Sequence, residues 1–152
     1  MENLLIGKAG KNVWLHPDIV GVETSNLHPL TKNLAEQFNL NRKKARIWSL
    51  EVKVKITKIS DVRNYFFQVV ANCSWANFGY LAVWKIEDDT KTRKVMKELR
   101  MLTNLYGIGV IMINDETPEE SSIIIPARER SRIDHVVCDR LIKENNEDLL
   151  NL

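Results

Sequence analysis

Three observations predict a mixed α/β domain, one β-sheet flanked by helices. The segment Ile47 to Ile56 alternates, with Trp48, Leu50, Val52, Val54 and Ile56 set between Ser49, Glu51, Lys53 and Lys55, the period of two that belongs to a strand. Val62, Tyr65, Phe66, Val69 and Val70 follow at helical spacing. Two apolar runs, Tyr80 to Ile86 and Ile108 to Ile113, then stand on either side of a second helical segment, and strands interleaved with helices argue for a mixed sheet sandwiched by them.

Each element has its own signal. Residues Met1 to Asn12, with Gly7 and Gly10, predict a loosely held start. Val13-Trp14-Leu15 and Asp18 to Glu23 predict two strand pieces broken at Pro17, which has no N–H to give a ladder. Leu30 to Phe38 predicts a short helix with Thr31 as N-cap. After the alternating strand, Ser60 is placed to cap a helix from Asp61 to about Asn72. Thr90 to Tyr106 predicts a helix ended by Gly107, Ser122 to Ile125 an edge strand stopped by Pro126, and Arg132 to about Glu144 a last helix. No internal repeat or low-complexity linker appears, so residues 1–152 are expected to form a single domain, with 1–12 the end of a longer protein if the chain is a fragment.

At 152 residues and 44% hydrophobic the chain can bury a core of its own. Its apolar runs are far shorter than a bilayer span and its first residues begin no secretory signal, so a cytoplasmic protein without membrane contact is expected. Cys73 and Cys138 form no C-x-x-C spacing and are expected to be buried free thiols; with three scattered histidines, they do not suggest a zinc cluster. The net charge of +2 is unevenly laid out. Lys32 to Lys58 holds eight Lys or Arg against two acids, and Asp115 to Asp148 holds ten acids against five bases. Arg42, Lys43, Lys44 and Arg46 directly precede the strand that carries Glu51, and Lys55 follows on it; this basic stretch suits a polyanion, and its plain alternative is a solvated turn.

That strand carries the chemistry. Glu51 and Lys53 lie two apart and so share a face, and Asp18 stands at the entrance of a preceding strand beside Pro17. Cleaving a phosphodiester in neutral water needs an activated water and charge on the transition state, and Mg²⁺ or Mn²⁺ held by one or two carboxylates supplies both. Asp18, Glu51 and the Val52 carbonyl are candidate metal ligands, and Lys53 is placed to meet the attacking water or the phosphoryl oxygens. Pro17 should splay the sheet and leave room there. The E-x-K letters are cheap, since Asp89-Thr90-Lys91 meets their looser form where a cap is expected. The alternative for Glu51 and Lys53 is an exposed strand face with charges paired across neighbours.

Pro17-Asp18 followed by Glu51-Val52-Lys53 resembles the P-D-(D/E)-x-K signature of the restriction-endonuclease-like superfamily. Trp14 to Gly21, Ser49 to Lys55, and Tyr65 through Leu81 further resemble a bacterial group associated with restriction and modification genes. The resemblance implies a restriction-endonuclease-like fold and metal-dependent DNA cleavage. It makes Asp18 and Glu51 metal ligands, Lys53 the catalytic lysine, and Gln68 a supporting residue on the next helix. Such domains open with a helix that is not evident here, so Glu2, a partner domain or a homodimer would fill that place. A non-catalytic module binding nucleic acid or a protein is the alternative. Among the remaining residues, His16 suits a structural hydrogen bond, Trp75 a corner packed over the core, and Arg128, Arg130 and Arg132 a surface salt-bridge cluster.

Overall fold

The structure is a computed structural model that describes residues 4–6, 17–24, 45–134, 136–138 and 140. Strands β1 (Leu4–Ile6), β2 (Ile19–Thr24), β3 (Ala45–Ile56), β4 (Phe78–Ile86), β5 (Gly109–Met112) and β6 (Ser122–Ile125) form one six-stranded sheet in sequence order. Neighbours β1, β2 and β3 pair antiparallel, β3, β4 and β5 parallel, and β6 antiparallel on β5. The two parallel steps need crossovers, and helices α1 (Ile59–Asn72) and α2 (Lys94–Tyr106) supply them. A 3₁₀ turn, Pro118–Glu120, leads into β6. The expected mixed α/β architecture is therefore present. Leu4–Ile6, expected within a loose start, is an edge strand, with Leu4 opposite Gly21. The expected strand at 13–15, the helix at 30–38 and residues 135, 139 and 141–144 of the expected last helix lie outside the described residues. What is described of the last begins after Asp134, whose carboxylate accepts the Val136 and Val137 N–H groups.

One face of the sheet carries both helices. Val62, Phe66 and Val69 of α1 and Val95, Leu99 and Leu102 of α2 close over Leu81, Val83 and Val110 in a single core. A second cluster joins Ile47, Trp75, Ala76 and Cys138, so Trp75 does seal the corner between α1 and β4. Both cysteines are buried free thiols, as expected. On the opposite face Trp48 stacks on Tyr80 at 5.2 Å, while Val54 and Trp84 are exposed among the described residues. No helix among the described residues is long and apolar enough to cross a membrane.

Helix starts differ from expectation for a common reason. Helix α1 begins two residues before Asp61, with Lys58 rather than Ser60 at the N-cap, because the Asp61 carboxylate reaches back to the Thr57 and Lys58 N–H groups and the Thr57 hydroxyl. Helix α2 begins four residues after Thr90. Asp89 closes a turn onto the Lys91 N–H, and Asp88, not Asp89, caps the helix by accepting the Val95 and Met96 N–H groups at 3.1 and 2.9 Å. Gly107 ends it at φ 72°, its N–H on the Thr103 carbonyl, as a left-handed cap requires.

Candidate active site

The β2–β3 ladder stops early. Its last pair is Ile19 with Leu50, two residues past Pro17, so β3 runs on from Glu51 to Ile56 with no partner on the β2 side among the described residues. The chain bends at Asp18, and its Oδ2 accepts the Val52 N–H at 2.8 Å where a ladder bond would otherwise sit. Pro17, which has no N–H to give a ladder, directly precedes this bend. A strand residue sends its N–H and C=O to the same side, so the Val52 carbonyl also leaves β3 toward Asp18.

Glu51 and Lys53 project from β3 onto the helix-bearing face. Glu51 is only 2% exposed, which overturns the reading of an open strand face with solvated charges. The loaded side of the strand is the buried one, and part of its apolar side, Val54, is open. Glu51 survives there because its oxygens are occupied. Oε1 accepts Lys53 Nζ at 2.7 Å and Gln68 Nε2, and Oε2 accepts Asn72 Nδ2 at 3.1 Å. Burial still pushes the Glu51 carboxyl above its ordinary range, against the opposing pull of Lys53 and Asn72, while the Asp18 charge adds to the rise. Lys53 Nζ also stands 4.0 Å from Asp18 Oδ2 and 5.6 Å from the centre of the Tyr65 ring. One ammonium thus touches both carboxylates and an aromatic face.

Of the expected site residues, Asp18, Glu51, Val52, Lys53 and Gln68 come together. Lys55 does not join them: it is exposed and pairs with Glu87 at 2.8 Å. Arg42, Lys43, Lys44 and His16 lie outside the described residues. Two residues were missed. Tyr65, Gln68 and Asn72 recur at i, i+3 and i+7, so they share one stripe of α1, and that spacing was the available signal. Asn72 is further held by its own carbonyl, which accepts the Ser49 hydroxyl at 3.2 Å. The arginine cluster is also reassigned. Arg128 donates to the Asn104 and Leu105 carbonyls at the end of α2, and Arg130 to the carbonyl and Sγ of Cys73 at the end of α1. They clamp helix ends rather than pair with acids.

The oxygens suit a hard divalent cation. The Asp18 and Glu51 carboxylates both stand beside Lys53 Nζ at a β3 edge with no strand partner among the described residues, and Mg²⁺ needs only one or two carboxylates because it keeps several waters. Asp18 is about one-third exposed, on the solvent side of the buried Glu51. Among the described residues no three His, Cys, Asp or Glu side chains gather into a closed cage. A cation on Glu51 Oε1 would compete with the Lys53 ammonium for that oxygen. No family model matches the chain, and no curated protein or solved structure does.

Proposed function

We propose that the protein is a metal-dependent endonuclease that hydrolyses DNA phosphodiester bonds, with a restriction-endonuclease-like fold and a role in restriction or defence. The observation that carries this reading is one buried carboxylate, Glu51, tied by a 2.7 Å bond to Lys53, with a second carboxylate, Asp18, beside the same ammonium at the open edge of a strand. Asp18, Glu51 and the Val52 carbonyl would hold Mg²⁺ or Mn²⁺. That ion, when bound, supplies Lewis acidity at the phosphoryl group and a more acidic water.

The other steps belong to the chain. Gln68 and Asn72 fix the plane of the Glu51 carboxylate from the rigid side of α1. Lys53 carries a positive charge to the phosphoryl oxygens and orients the attacking water, where charge builds in the transition state. Asp18 gives the Val52 N–H a partner and so keeps the Val52 carbonyl turned to the site.

Supercoiled plasmid incubated with protein and Mg²⁺ or Mn²⁺ should be nicked or linearised. Asp18→Ala, Glu51→Ala and Lys53→Ala should each lower the rate by about a hundredfold or more while keeping the fold. Salt-sensitive DNA binding without cleavage in either metal would replace the nuclease by a binding module.

A further inference from the structure

We propose that the outer face of the first half of α2 is a contact surface for the phosphate backbone of duplex nucleic acid. The proposal rests on the reading of a DNA substrate but not on turnover. Lys91, Arg93, Lys94, Lys97 and Arg100 are all exposed, and none forms an ion pair with a described carboxylate. Four other exposed cations are matched, Arg46 with Glu129, Lys55 and Lys85 with Glu87, and Arg63 with Glu98, while Arg128 and Arg130 hold helix-end carbonyls. The acids nearest the five are engaged. Asp88 holds the Val95 and Met96 N–H groups, Asp89 the Lys91 N–H, and Glu98 turns to Arg63 on α1.

The placement works against the helix's own stability. The Asp88 carboxylate caps the N-terminal end of α2, yet Arg93 and Lys94 stand at that same end, where the helix dipole disfavours cations. Such a local conflict suggests that the charges serve a partner. Arg93, Lys97 and Arg100 fall at i, i+4 and i+7, one stripe about 10 Å long. At about 3.4 Å of rise per nucleotide on a strand, that stripe matches about three phosphates. Strands β3 and β4 are parallel, so their carboxyl ends, which lead to α1 and α2, lie at one end of the sheet. Lys53 lies three residues before the end of β3, and α2 packs against α1, Glu98 accepting the Arg63 guanidinium.

The test is binding of a fluorescein-labelled duplex in EDTA, followed by anisotropy across salt from about 50 to 200 mM. The triple variant R93A/K97A/R100A should keep its helix content by circular dichroism. It should bind at least about tenfold more weakly, with the slope of log K against log salt smaller by about two to three. The charge-preserving R93K/K97R/R100K should bind like the wild type. The K55A/K85A variant, which removes cations already matched by Glu87, should stay within about twofold of wild type. An unchanged slope in the triple-alanine variant overturns the proposal, as does an equal loss in K55A/K85A. Because no metal is present, absence of cleavage with this pattern intact would count against the nuclease reading alone.

Discussion

Glu51 is the residue on which the site turns, and its burial has a measurable cost. The folded protein holds the Glu51 proton more tightly than the unfolded chain does, because burial lifts its carboxyl above the ordinary 4.5. Folding therefore loses stability as pH rises through that interval toward the folded value. Replacing it by Gln removes the titrating group, although one amide oxygen accepts from only one side where the carboxylate accepts from Lys53, Gln68 and Asn72. The melting temperature of Glu51→Gln relative to wild type should shift in the variant's favour as pH rises above about 4.5. If the difference is flat with pH, the buried carboxyl is not the titrating group. Tyr65 makes a second case. Tyr65→Leu should lower turnover by about threefold to tenfold with little change in KM, and Tyr65→Phe should restore it, since the ring face and not the hydroxyl meets Lys53. The sequence made Glu51 and Lys53 legible through their spacing along one strand. It hid Asn72 and the Asp18 contact to Val52, which depend on where α1 lands and where the β2 ladder ends.

At the scale of elements, the sequence pattern located β2, β3, α1, β4, β5 and β6 within about two residues, and the start of α2 was set by longer-range hydrogen bonds. The start of α2 was misread because its cap, Asp88, lies seven and eight residues before the N–H groups it accepts. No local spacing signals such a reach. Asp88→Ala should cost about 1 kcal/mol in urea unfolding, against little for Asp89→Ala, which serves only the exposed turn. The corner between α1 and β4 is tighter. A Cβ on Gly79 would stand 2.8 Å from the Cys73 Cβ and Sγ and 2.9 Å from Ile108 Cδ1. Gly79→Ala should therefore destabilise by about 1–3 kcal/mol and, by shifting the residue next to Asn72, lower turnover as well. Native thermal unfolding and a rate measurement on the same sample would register both effects.

For the whole molecule, alternation in β3 separated two faces but could not say which would be covered. The helices settled that, closing over the face with Glu51 and leaving Val54 and Trp84 open among the described residues. A site under a helix is rigid: Phe66, fully buried between α1 and the sheet, anchors the helix that brings Gln68 and Asn72 to Glu51. Phe66→Ala should cost about 3–5 kcal/mol. The central claim, that Asp18 and Glu51 together hold a divalent cation under Lys53, is tested most directly by calorimetric titration of Mn²⁺ into the metal-free protein. One saturable Mn²⁺ per chain is expected, lost in Asp18→Ala and Glu51→Ala and kept in Lys53→Met. A wild-type protein with no saturable site, or one whose binding is untouched by the two carboxylate variants, would contradict it.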